Sequence, residues 1–164
     1  MIVLSSAHMS NTFRNIVVVG HGAAGLAAAL SAAEEARSHK WPIKITLTEK
    51  AAEGEAGGNT RWSPSYMRMT TPERVEPSFV HDMLEATKFQ GDETYFARLA
   101  KEAPAAVRWI SSHGIEFVQP TYYLAKGPPR IQPSGGGPAI VKELSRAAKQ
   151  ADVTFRYGCV AREI

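Results

Sequence analysis

The residues of this chain that could do chemistry are grouped around glycines. Gly20-His21-Gly22-Ala23-Ala24-Gly25 has the spacing G-x-G-x-x-G. In that pattern the first glycine permits a tight turn, the second lets a pyrophosphate approach the backbone, and the third lets a helix sit close to a strand. The helix N-terminus then offers N–H groups and the positive end of a dipole to phosphate oxygens. Glu49 follows 24 positions after Gly25, near the roughly 20 at which an acid accepts a hydrogen bond from a ribose hydroxyl in such sites. An acid there repels a 2′-phosphate, which disfavours NADP. Gly57-Gly58-Asn59-Thr60 joins two residues that tolerate positive φ to two with short donors and acceptors. Such a loop can present backbone and side chains to a polar ring or a phosphate, and it reads equally well as an ordinary flexible loop. His21 sits inside the fingerprint and its imidazole titrates near neutrality, but no acid or nucleophile adjoins it, so a bland role is expected. Arg61, Arg68 and Arg130 are the basic residues nearest the glycine loops. Guanidinium groups bind carboxylates bidentately and could support a polycarboxylate; pairing with local acids such as Glu73 and Glu76 is the alternative.

These residues need a scaffold, and the pattern around them supplies one. Residues 15–20 read as a buried strand, with four consecutive β-branched residues ended by glycine. The alanine-rich stretch 23–38 reads as a helix that Trp41-Pro42 separates from an alternating strand over 43–49. Strand, helix and strand together have the length of a βαβ unit with parallel strands. Residues 51–69 read as a long loop in which Trp62, Tyr66 and Met67 pack. Helices are expected over 77–89 and 93–113, the second with a core stripe of Phe96, Leu99, Ala103, Val107 and Ile110 and a kink or break at Pro104. Short strands follow over 115–118 and 121–124, a glycine and proline loop over 127–138, a helix over 139–150, and strands over 153–157 and 160–164.

Composition narrows the class. The chain has 164 residues, 44% of them hydrophobic and 21% charged, which suits one globular domain and excludes disorder or a fibrous repeat. The net charge of +3 comes from 19 basic and 16 acidic residues with no basic run interleaved with aromatics, so nucleic acid is set aside as a partner. Residues 16–33 carry no formal charge, but they divide into a β-branched run, a glycine turn and an alanine-rich helix, which argues against a membrane span or signal peptide. A loose leader is expected over 1–14. The single cysteine, Cys159, cannot form an intrachain disulfide, which fits a reducing, cytoplasmic setting.

The segments G-H-G-A-A-G, I-T-L-T-E-K and G-G-N-T resemble the flavin-binding part of the fumarate reductase and succinate dehydrogenase flavoprotein superfamily, from about Asn15 to Ile164. Within it, G-G-N-T-R-W-S-P-S-Y-M-R is similar to the tricarballylate dehydrogenases. The first two segments are shared widely among flavin and nicotinamide proteins; G-G-N-T soon after E-K is more selective. The resemblance implies an α/β, Rossmann-like FAD-binding domain with a parallel sheet. It also implies FAD held by Gly20, Gly22, Ala23, Ala24 and Gly25, by Glu49 with Lys50 at the adenosine ribose, and by Gly57, Gly58, Asn59 and Thr60 along the pyrophosphate and ring. The backbone near Val160 would meet the adenine. Members with covalent FAD carry a histidine where Asn59 stands, so noncovalent FAD is expected. The implied reaction oxidises a CH–CH bond of a small polycarboxylate such as tricarballylate, with electrons passing to a separate acceptor. Relatives of this kind run longer, with a capping domain and a returning C-terminal segment, so an N-terminal fragment, inactive alone, is expected. The rival readings are a noncatalytic dinucleotide-binding module, or another member such as a fumarate reductase or ketosteroid dehydrogenase.

Overall fold

The structure is a computed structural model and describes residues 14–120 and 127–163. The leader, apart from Arg14, and the strand expected over 121–124 lie outside the described residues. In chain order the elements are β1 (Arg14–Val19), α1 (Ala23–Ser38), β2 (Ile43–Thr48), β3 (Met69–Thr71), β4 (Arg74–Val75), α2 (Phe79–Ala86), α3 (Glu93–Ser112), β5 (Phe117–Val118), β6 (Gln132–Pro133), α4 (Gly136–Gln150) and β7 (Thr154–Arg156). Two short 3₁₀ turns, Glu53–Glu55 and Gly58–Trp62, lie between β2 and β3. The chain divides into two compact units, one made of residues up to 56 with 148 onward, the other of residues 57–147.

The first unit holds a parallel sheet of order β1-β2-β7, in which Val17 pairs with Thr46 and Leu47 with Phe155. The βαβ expectation is met, because α1 runs over the predicted residues and packs on β2 and β1. Its buried face is Leu26, Ala29, Leu30, Ala33 and Ala36, mostly alanine, and the small side chains let the helix lie close over Ile45 and Leu47. Gly25 marks the tightest point. A Cβ there would stand 1.9 Å from the Gly20 carbonyl oxygen, so only glycine fits. The expectation that β1 is buried needs correction. Val17 is 60% and Val19 55% exposed, while Val18 faces α1, so β1 is covered on one face among the described residues.

The second unit is built around Met69, Val107 and Ile131, with Met67, Val75, Ala103 and Phe117 packed against them. Two small antiparallel pairs, β3 with β4 and β5 with β6, frame this core, and backbone hydrogen bonds of 2.9 and 3.0 Å tie Met67 to Ile131. Four expectations fail here. Helix α3 is not broken at Pro104, which sits inside it, and Val107 on the next turn is buried. Leu99 is 44% exposed, so the core stripe is narrower than its spacing suggested. The loop over 127–138 contains β6, and α4 starts three residues earlier than expected, at Gly136. The long loop contains two 3₁₀ turns and leads into β3, and Trp62 is 79% exposed with the Arg61 guanidinium 5.2 Å over its ring, so that tryptophan does not pack inward. Beyond β7, residues 157–163 form no strand, which removes the one expected over 160–164 as far as it is described.

Candidate functional site

In the first unit the glycine turn joins β1 to α1 as the fingerprint requires. Gly20 has φ +103°, a conformation L side chains rarely adopt, and its N–H continues the sheet by donating to the Thr48 carbonyl at 2.8 Å. Gly22 is the N-cap of α1 with φ −77° and ψ 177°, an extended backbone any residue can adopt. Backbone geometry therefore explains Gly20 and Gly25 but not Gly22. Gly22, the N-cap, makes no side-chain cap and the first turn of α1 contains no acid. Ala23 is half-buried and Ala24 exposed on that first turn.

Glu49, one residue past β2, is 8% exposed and its carboxylate is held at both oxygens. The His21 N–H donates to Oε2 at 2.8 Å and the Ala51 N–H to Oε1 at 2.9 Å. Burial opposes the charge, but these N–H donors outweigh it and hold the carboxyl below its ordinary range. The Cys159 N–H donates to the Glu49 carbonyl at 2.9 Å and the Gly158 N–H to the Ala51 carbonyl at 3.0 Å, which fastens the segment after β7 beside Glu49. Val160 follows that anchor with 65% exposure, and Lys50 is exposed. The glycine turn of Gly20, Gly22 and Gly25 thus meets Glu49 through the His21 N–H, and Val160 lies one residue past the anchored Cys159.

Sequence reasoning missed the side chains that pack on this turn. His21 is buried between Phe155 and Tyr157, with ring centroids at 5.4 and 5.5 Å, and its Nε2 lies 3.3 Å from the Tyr157 hydroxyl. Burial holds the imidazole pKa below its ordinary value, against the pull of Glu49, and burial raises that of the Tyr157 phenol. Lys149 donates to Glu53 at 2.9 Å and lies 5.6 Å from the Phe155 centroid. The alternation Phe155-Arg156-Tyr157, two aromatics on one face of a strand, was the available signal.

In the second unit Gly57, Gly58, Asn59 and Thr60 enter the 3₁₀ turn Gly58–Trp62, with Gly57 at φ +129° and Gly58 at +52°. Asn59 is exposed and Thr60 half-buried. The turn is held by the third glycine cluster: the Gly137 N–H donates to the Ser63 carbonyl at 2.9 Å, and a Cβ on Gly137 would fall 1.8 Å from the Thr60 carbonyl oxygen. Two of the glycine clusters therefore exist partly for each other, and the turn is a built one.

The three arginines have different surroundings. Arg68 donates from one nitrogen to Glu76 at 2.8 Å, to the Asp82 carboxylate and to the Ser78 hydroxyl. Burial works against its charge, but Asp82 and Glu76 outweigh that and raise its pKa. Arg130 lies 6.0 Å from the Tyr66 ring centroid, and Arg61 stacks on Trp62 as described.

Comparison with known proteins fits this geometry. Residues 15–164 match the family described as FAD binding domain. Fumarate reductase 1 of Saccharomyces cerevisiae is 31% identical over 105 residues, 59% of this chain and 21% of the yeast protein. NADH:fumarate oxidoreductase of Klebsiella pneumoniae is 30% identical over 105 residues, 62% of this chain and 11% of that protein. The open conformation of a flavocytochrome c3 fumarate reductase superposes with a TM-score of 0.68 at 25% identity, over 89% of this chain and 27% of that one. Adenylylsulfate reductase from Archaeoglobus fulgidus shares the fold at a TM-score of 0.60 and 20% identity, over 88% of this chain and 24% of that one. The chain thus spans about a fifth or less of the curated relatives it matches. Among the described residues no helix is long and apolar enough to cross a membrane, and no group of His, Cys, Asp and Glu could hold a metal ion. With a glycine turn that a Cβ would fill, a helix that begins at a glycine N-cap and a buried carboxylate held by backbone donors, this chain belongs to the FAD binding domain family, and FAD is its cofactor.

Proposed function

We propose that this chain is the FAD-holding part of an oxidoreductase of the fumarate reductase type, acting on a CH–CH bond of a small polycarboxylate such as tricarballylate, with electrons leaving to a separate acceptor. Bound FAD would supply hydride acceptance at its N5. The chain's own residues do the rest. Gly20, Gly22, Ala23, Ala24 and Gly25 seat the pyrophosphate at the α1 N-terminus, and Glu49 accepts from the adenosine ribose with Lys50 beside it. Gly57, Gly58, Asn59 and Thr60 serve the pyrophosphate and ring, and the Val160 backbone serves the adenine. Because Asn59 stands where covalent relatives carry histidine, and an amide cannot make that linkage, the cofactor is held noncovalently. Arg61 and Arg130 are the candidates for a substrate carboxylate, and Arg68 less so, since two carboxylates already engage it.

The observation that carries this reading is Gly22. Its extended backbone does not itself demand glycine, and in a fingerprint of this spacing the missing Cβ at the second glycine is what lets a pyrophosphate approach the backbone. Gly22→Val is expected to leave the circular dichroism spectrum unchanged and to abolish flavin binding. Wild-type chain mixed with FAD and desalted should show a flavin absorbance band that acid releases into the supernatant. A colourless wild type that fails to take up FAD would sink the proposal, and flavin remaining with the acid pellet would sink the noncovalent part. Substrate assays with tricarballylate, succinate and fumarate and an artificial electron acceptor separate the candidate reactions.

A second reading is favoured by Arg68. Its guanidinium is spent on Glu76, Ser78 and Asp82, which suits a module that holds the dinucleotide while leaving catalysis to other groups. Flavin binding without turnover in any of those assays would support it.

A further inference from the structure

We infer that Tyr157 and His21 form a positioning relay that sets the Glu49 carboxylate for the adenosine ribose, and so control how strongly the site distinguishes a ribose from a deoxyribose. The inference rests on the reading of Glu49 as the ribose acceptor and adds two residues that the dinucleotide fingerprint does not specify. The chain of contacts is continuous. Glu49 Oε2 is oriented by the backbone N–H of His21 at 2.8 Å. The peptide that carries this N–H follows Gly20, whose positive φ leaves it dependent on its surroundings for direction. The His21 side chain supplies that direction, because it is 4% exposed and wedged against Phe155 and Tyr157. Tyr157 fixes the ring within its wedge, its hydroxyl 3.3 Å from Nε2. Phe155 and Tyr157 stack on each other at 6.0 Å, and Lys149, tethered to Glu53, covers Phe155, so the far side of the relay is also held.

A carboxylate oxygen that accepts one N–H keeps lone pairs for a hydroxyl. Its value to a ribose depends on where those lone pairs point, since hydrogen bonds weaken steeply with misalignment. Releasing the imidazole would let the His21 peptide rotate and would cost the 2′-hydroxyl contact more than the phosphate contacts, which rest on other backbone groups. The Tyr157 and His21 side chains act on the ribose only through Glu49.

The test uses calorimetric titration of the full chain with ADP and with 2′-deoxy-ADP. Wild type is expected to prefer ADP by about tenfold, the size of one hydrogen bond to a charged acceptor. Tyr157→Phe keeps the ring stack and removes the hydroxyl, and should shrink that preference severalfold while binding of 2′-deoxy-ADP stays near the wild-type value. His21→Phe keeps the backbone N–H and the aromatic packing, and should reproduce the effect. The double variant should lose no more than either single one. A merely structural role would weaken both ligands equally, and that result overturns the relay, as does an unchanged preference in both variants. If Tyr157→Phe does not fold, His21→Phe alone decides by the same criterion. A wild type that binds both ligands equally removes Glu49 as the ribose acceptor and the relay with it, which separates failure of the underlying reading from failure of the relay.

Discussion

Glu49 and Arg68 are both charged side chains drawn out of water, and they are satisfied in opposite ways. Glu49, in the first unit, is held by two backbone N–H groups, neutral donors that steady its charge without cancelling it. Arg68, in the second unit, is held by two carboxylates and a hydroxyl, so its charge is offset where it stands. A charge stabilised by dipoles remains available to a ligand; one neutralised by counter-charges has become part of the framework. The difference fits the sequence reading, in which Glu49 belongs to the dinucleotide fingerprint and Arg68 has pairing with local acids as its alternative.

The largest effect should come from breaking the turn that aims the donors at Glu49. Gly25→Ala places a Cβ on the Gly20 carbonyl, a backbone group with little room to move, and is expected to cost about 3 kcal/mol or more, read as a lower midpoint in urea unfolding. A midpoint within error of wild type would mean that the close approach of helix and strand is not needed. Next, Glu49→Gln keeps the shape and removes the charge. It should weaken FAD about tenfold or more by fluorescence titration, and unchanged affinity would place Glu49 with Arg68 as framework.

Arg68→Met sharpens the other side of the comparison by leaving Glu76 and Asp82 without their cation. Both carboxyls are held below their ordinary pKa in the folded chain, Glu76 first by the Ser78 hydroxyl and Asp82 first by Arg68. Their contribution is therefore present above the unfolded carboxylate pKa and is lost as pH falls through the folded values. The variant should melt several degrees below wild type near neutral pH, with the gap closing in acid. A gap independent of pH would show that packing of the arginine stem is what matters.

The smallest effect concerns His21. Its folded pKa lies below the ordinary 6.5, so the unfolded chain takes up the proton first as pH falls. This contribution to stability is intact above 6.5 and declines below it until the folded imidazole is also protonated. The groups facing the ring are Glu49, Lys149 and Glu53, with Tyr157 at its Nε2. His21→Phe should flatten the melting temperature profile between about pH 7 and pH 5.5. Wild-type and variant profiles that run parallel would count against a buried neutral imidazole.

The first unit was largely legible in the sequence because its signals are local. The alanine run, the β-branched strand and the Gly-x-Gly turn each declare one element, and α1 occupies the residues expected of it. The second unit was legible in its helices and, of its strands, only in β5, which falls inside the strand expected over 115–118. Strands β3 to β6 are two or three residues long and too short to show periodicity. Met67 pairs with Ile131 across 64 positions, which no local pattern encodes. Pro104 does not break α3, because a local helix-breaking propensity yields to tertiary context. At the candidate site, the glycines and Glu49 were readable from spacing alone. The Tyr157 and His21 contact was not, since it joins residues 136 positions apart.

The half-covered strand β1 has a practical consequence. Parallel strands are ordinarily shielded on both faces, whereas Val17 and Val19 here look outward beside Thr46 and Thr48. Water at that surface is displaced favourably by any apolar partner, including another copy of the chain. Light scattering that grows with protein concentration and falls on replacing both valines with threonine would identify this strip as a surface of self-association. Work on the isolated chain is therefore best done dilute.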